Sequence, residues 1–304
     1  MIQTGSQILR TAFLFVLSGW INLSGQNVEH LIEDAAALNT FYSSLGGSNW
    51  DSKRGWPVEE EPKDTKSTPY GVNLIEIDTI QVNDTLIRVK YKTEKIDLDD
   101  NGLTGQVPAV TFDELIELNL YSNAITGFSS GFSGPELVMV NLQSNEINRW
   151  DDVSLPNLEV LNLNYNDLTN MIGSGLYPKL EYLYLNYNQI TNLGLLNFPA
   201  LKEIRMEYNQ LSSSLPNLDL PNLEFLMLSG NSLTGSLPSL NLPKLIVLDV
   251  GGSNLSGSIP NLNFPELEVL NLGGNEFSGT LPLFEGLTNL KVYCNSYMVM
   301  RRMI

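Results

Sequence analysis

The chain has 304 residues, 42% of them apolar, which is enough to bury a continuous core; 17 basic residues against 34 acidic ones give a net charge of −17. Such a charge repels phosphate backbones and anionic bilayers, which argues against nucleic acid as a partner and leaves a basic protein surface or a neutral glycan. The single cysteine, Cys294, excludes an intramolecular disulfide.

Residues 1–25 read as an export signal. Arg10 is the lone charge there, followed by the apolar run Thr11 to Leu17 and a softer stretch to Leu23, too short to span a bilayer. Cleavage after Gly25 leaves Gln26 first and predicts a secreted or cell-surface protein. No later stretch is long and apolar enough for a transmembrane helix.

Residues 26–92 read as a separate N-terminal segment. Between Val28 and Leu45 the apolar residues fall at 28, 31, 32, 35, 38, 41, 42 and 45, one face of a helix, stopped by Gly46-Gly47. A tryptophan-bearing loop follows, with Trp50 in Gly47-Ser-Asn-Trp-Asp51 and Trp56 before Pro57. Residues 72–91 alternate apolar and polar around Val82-Asn83-Asp84, the pattern of a hairpin.

From Thr93 to Ile304 one pattern recurs about ten times: L-x-x-L-x-L-x-x-N-x-L. It is clear in Leu180, Leu183, Leu185, Asn188, Ile190 and again in Leu223, Leu226, Leu228, Asn231, Leu233. Its asparagine column runs Asn101, Asn123, Asn145, Asn166, Asn188, Asn209, Asn231, Ser253, Asn275 and Asn295, spaced by 20 to 22 residues. Two leucines flanking one variable residue alternate along a short strand, so both face inward while their neighbours face out. One unit cannot bury that face alone; stacked units can. Parallel strands at about 4.8 Å spacing then build a slab about 45 Å long. Each asparagine is placed to satisfy turn backbone that burial leaves unpaired, and Ser253 is the weak place in that column. Twelve of the 15 prolines form two further columns: Pro135, Pro156, Pro178, Pro199, Pro221, Pro243 and Pro265 before the first leucine, and Pro108, Pro216, Pro238, Pro260 and Pro282 closing an L-[TS]-[GS]-x-[LIV]-P segment. They predict extended or 3-10 segments on the outer face rather than long helices.

These columns carry the leucine-rich-repeat signature, and the resemblance covers about two-thirds of the chain. Leu233-Thr-Gly-Ser-Leu-Pro238, Leu255-Ser-Gly-Ser-Ile-Pro260 and Phe277-Ser-Gly-Thr-Leu-Pro282 resemble the plant-type subclass; the middle units resemble shorter-arm bacterial types. The tryptophan loop resembles the plant-type N-terminal cap, although Pro69-Tyr70-Gly71-Val72-Asn73-Leu74 lacks that cap's cysteine. The resemblance implies an α/β solenoid, right-handed, with a parallel sheet on its concave face. Residues Tyr297 to Ile304 have no repeat register and are too short for a usual C-terminal cap, so either a partner covers that end or the chain is a fragment.

Chemistry-bearing residues are sparse. The only histidine, His30, falls on the expected cap helix without a nucleophile to activate. Cys294 falls in an expected loop beside Asn295. Asp97-Leu-Asp99-Asp100-Asn101-Gly102 begins like a calcium loop, but Pro108 stands where a bidentate glutamate is needed, and the repeat demands Leu98 inside. No catalytic site, metal site or cofactor is expected. The outward positions of the strands gather Tyr165, Tyr182, Tyr184, Tyr187, Arg205, Tyr208, Phe225 and Met227 at the centre of the array. Exposed aromatics and arginine anchor interfaces, so these eight residues are expected to bind a protein or peptide. Two alternatives stay open: the tyrosines form a structural spine, or the concave polar ladder Asn119, Asn141 and Asn162 marks a glycan- or ice-binding surface.

Overall fold

A computed structural model describes residues 27–51, 70–83, 86–150, 153–173, 176–194, 196–282, 284 and 286–294. The export signal expected over residues 1–25, together with Trp56 and Asn295, lies outside the described residues. In chain order the elements are β1 (Asn27–Ile32), α1 (Ala35–Ser44), β2 (Val72–Asn83), β3 (Leu86–Asp97), β4 (Thr104–Val107), β5 (Glu117–Asn119), β6 (Ala124–Phe128), β7 (Met139–Asn141), β8 (Val160–Asn162) and β9 (Tyr182–Tyr184). They continue with β10 (Glu203–Arg205), β11 (Phe225–Met227), β12 (Thr234–Gly235), β13 (Val247–Asp249), β14 (Asn254–Gly257), β15 (Val269–Asn271), β16 (Glu276–Phe277) and β17 (Val292–Cys294).

The main sheet has 12 strands in the order β1-β3-β5-β7-β8-β9-β10-β11-β13-β15-β17, with β2 beside β3. Every pairing from β3 to β17 is parallel, so this is a parallel-sheet solenoid with few helices. The middle residue of each short strand is buried, among them Leu118, Leu161, Leu183, Ile204, Leu226 and Leu270, all 0% exposed. Two positions later Leu120, Leu163, Leu185, Met206, Leu228 and Leu272 are equally buried. Each such side chain removed from water contributes about 1.5–3 kcal/mol, and stacked units share one core from Ile32 to Leu287.

On the outer face the proline column makes turns rather than straight leads into the strands. The N–H of Leu180 donates to Tyr177 O (3.3 Å), that of Leu201 to Phe198 O (3.2 Å), that of Leu223 to Leu220 O (3.1 Å) and that of Leu267 to Phe264 O (3.1 Å). Pro178, Pro199, Pro221 and Pro265 thus take the second position of a four-residue turn, which a fixed φ near −65° favours. Where the L-[TS]-G segment occurs, the outer face has its own parallel ladders: β4 with β6, and β12 with β14 and β16. Gly235 sits there at φ 77°, a conformation glycine adopts without cost.

The N-terminal segment departs from the expected helix over 28–45. Residues 27–32, His30 included, form β1, parallel to Leu86–Tyr91 of β3, and the helix begins only at Ala35. The apolar spacing fits a helix, but a free edge of β3 offers a full set of backbone partners. Asp34 fixes the junction: its Oδ2 accepts the N–H of Thr93 at 2.6 Å. The hairpin β2–β3 is antiparallel and runs through to Asp97, so β3 is both hairpin arm and first strand of the repeat ladder. Trp50 is buried, its Nε1 donating to Leu45 O (2.7 Å) and its ring edge-on to Tyr42.

At the other end, Cys294 closes β17 opposite Asn271 instead of standing in a loop. The described residues end at Cys294, so the last position of the asparagine column, expected at Asn295, falls beyond them.

Candidate binding face

The concave face divides into three stretches. Toward the first units its polar side chains are occupied. Asn119 Nδ2 donates to Asp97 Oδ1 (2.7 Å) and Asn141 Nδ2 to Asn119 Oδ1 (2.9 Å), while Asn162 turns to Gln143 Oε1 (3.0 Å). The oxygens of Asn119, Asn141 and Asn162 also accept the N–H two residues on. This ladder closes the strand exits, where the backbone would otherwise lose its partners. Lys95 is likewise taken up by Glu117 (2.8 Å) and Asp97 (3.6 Å), pairings that hold its ammonium above the ordinary lysine value.

At the centre, parallel register places Tyr184, Arg205 and Met227 side by side, with Tyr182, Glu203 and Phe225 in the adjacent row. All but Glu203 are half-exposed; Glu203 is 7% exposed and forms an ion pair with the Nε of Arg205. The guanidinium carbon of Arg205 lies 5.9 Å from the Tyr184 ring centre, within range of a cation–π contact. Lys202 Nζ sits 6.0 Å from the Tyr182 ring and pairs with Glu181 at 2.7 Å. Burial, then the charge of Glu203, raises the Tyr184 hydroxyl above its ordinary value, with Arg205 opposing. The outcome is a half-apolar floor that holds one arginine in a fixed orientation. Glu203 was legible as outward-facing; its pairing follows from the two-residue alternation that puts positions 203 and 205 on one face.

Along the rim, Tyr165, Tyr187 and Tyr208 leave the centre group and form a stack. Their ring centres are 4.4 Å and 4.7 Å apart, with planes inclined by 9° and 14°. All three have left-handed backbone, φ 55°, 55° and 54°, in a column that otherwise holds Asp100, Ser122, Ser144, Gly230, Gly252 and Gly274, also at positive φ. A left-handed non-glycine residue costs roughly 1–2 kcal/mol, and an aromatic pair returns about 0.5–1.5 kcal/mol. The Tyr187 hydroxyl is raised above its ordinary value, first by lost solvation and then by the flanking phenols.

Among the described residues no helix is long and apolar enough to cross a membrane, and no group of three or more His, Cys, Asp or Glu could hold a metal ion. Leu98, inside the calcium-like segment, is fully buried.

The fold and this repeating geometry define a leucine-rich-repeat protein. Family models described as leucine-rich repeats match residues 178–220, 221–264 and 266–290. Among solved structures, a plant ice-binding protein is similar at 18% identity, over 87% of this chain and 96% of that one, with a TM-score of 0.51. YopM from Yersinia enterocolitica is similar at 24% identity, over 71% of this chain and 53% of its own, with a TM-score of 0.48. Internalin C2 from Listeria monocytogenes is similar at 23% identity, over 66% and 79%, with a TM-score of 0.43. At these identities the likeness is one of fold. No curated protein matches the chain significantly.

Proposed function

We propose that this protein is a non-catalytic binding module, exported to the cell surface or beyond, that recognises a protein or peptide through the centre of its concave face. One observation carries the reading: Arg205 is held between Glu203 and Tyr184 on a floor of half-exposed Tyr182, Phe225 and Met227. Arginine and aromatics so placed have the composition of an interface centre. The neighbouring asparagine ladder spends its groups on neighbouring side chains and on its own backbone, which weighs against that ladder as the contact surface.

The test is a pull-down from the native environment, followed by affinity measurements on alanine variants with melting curves alongside. Tyr184→Ala, Arg205→Ala and Phe225→Ala should each cost about 2 kcal/mol or more of binding energy with little change in melting. Lys244, which is exposed and bonds Asn222 Oδ1 on another face, should be neutral when changed. A critical Lys244 with the three concave residues silent overturns the reading.

A further inference from the structure

We propose that the outer ring face of Tyr165 is a subsite for a neutral hexopyranose. This site is separate from the Arg205 floor, and the argument for it starts from the stack. Ring spacings of 4.4 Å and 4.7 Å match the distance between neighbouring strands. The stack therefore runs along the ladder, one ring per unit. Its downstream end is closed: the Tyr208 ring lies against Gly230, where an added Cβ would come within 2.8 Å of it. Upstream the same column continues with Ser144 and Ser122, whose hydroxymethyl groups leave the place of a fourth ring unfilled. Tyr165 stays 49% exposed although one of its faces is covered by Tyr187.

Uncharged polar side chains occupy this stretch of the array: Gln143 and Ser144 in the unit before Tyr165, and Asn164 beside it in the chain. Gln143 Oε1 accepts from Asn162 Nδ2 (3.0 Å) and Asn164 Oδ1 accepts the Asn186 N–H (2.7 Å). Those bonds fix both amides by their oxygens. Among the described residues Gln143 Nε2, Asn164 Nδ2 and the Ser144 hydroxyl have no protein partner. A flat apolar platform with fixed N–H donors in the same stretch complements a sugar ring, which presents C–H bonds on its face and hydroxyl oxygens around its edge. An aromatic side chain would cover the platform but leave the donors against apolar edges, losing their hydrogen bonds to water. Gln143, Ser144, Asn164 and Asn186 carry no charge, which fits an uncharged ligand on an otherwise acidic protein. The strained backbone of the three tyrosines gains a reason here, because stacking holds the terminal ring rigid and presented.

The test uses the full chain with cellobiose and lactose, followed by saturation-transfer NMR and titration. Binding should be saturable, with transfer concentrated on the C–H protons of one sugar face. Tyr165→Ala should weaken it at least about tenfold. Ser144→Tyr should abolish it while leaving the melting temperature unchanged, because a fourth ring fills the open place. Arg205→Ala should leave sugar binding within about twofold of the parent, which separates this site from the concave floor. The proposal is overturned if neither disaccharide binds saturably, or if Ser144→Tyr binds as the parent does. It is also overturned if N-acetyltyrosinamide binds with this variant pattern and the sugars do not, since the face then takes aromatic side chains.

Discussion

The side-chain amide of Asn188 joins two units: its Nδ2 donates to Leu163 O, twenty-five residues earlier, at 2.9 Å, and to Leu185 O of its own unit at 3.1 Å. Its Oδ1 accepts the N–H of Leu168 at 3.0 Å. Asn123, Asn145, Asn166, Asn209, Asn231 and Asn275 repeat this bridging. Asn188→Ala should cost about 1–3 kcal/mol by leaving buried backbone unpaired. Leu183→Ala, removing a fully buried side chain, should cost about 2–5 kcal/mol. Chemical denaturation of both variants checks the pair, and parent-like midpoints for both contradict the register.

Ser253 is the gap in this bridging. Its Oγ is buried without a hydrogen-bond partner, and it is too short to reach the carbonyls that asparagine reaches elsewhere. Ser253→Asn should restore three bonds and stabilise the protein by about 1 kcal/mol. A calorimetric melting temperature no higher than the parent's contradicts this.

Gly230 faces two constraints at once, φ 69° and the Tyr208 ring 2.8 Å from any added Cβ. Gly230→Ala should destabilise by roughly 1–2 kcal/mol and displace Tyr208 from Tyr187. Near-ultraviolet circular dichroism reads the second effect, and an unchanged tyrosine signal speaks against it.

Tyr91 gives the fold a pH dependence. Burial, and then Glu76 opposite it in the hairpin, raises its hydroxyl from 10.0 to about 12. Below pH 10 the phenol is protonated in both folded and unfolded chains, and its contribution is complete. Between pH 10 and about 12 the unfolded chain releases the proton first, so stability falls across that window. The loss should be about 1–2 kcal/mol after allowing for the partly solvated ring. Stability curves of the parent and Tyr91→Phe should diverge there; parallel curves remove Tyr91 as the cause.

The sequence by itself determined the repeat and which columns face inward. Leu183 and Leu185 flank one outward residue, and a strand period of two leaves no other way to bury both. The asparagine column and the hairpin were legible for the same reason: their signals are local. Only the tertiary structure decided what depends on distances between units. A helical apolar spacing over 28–45 gave way at β1 because β3 offered a strand partner. Cys294, expected in a loop, fell in β17 because the sheet aligned it with Asn271. Tyr165, Tyr187 and Tyr208 share a residue type with Tyr182 and Tyr184, yet the first three stack along the rim while the other two lie on the floor with Arg205 and Lys202. That division depends on which way a left-handed residue projects its side chain and on the spacing of neighbouring strands, and neither is written in any one unit.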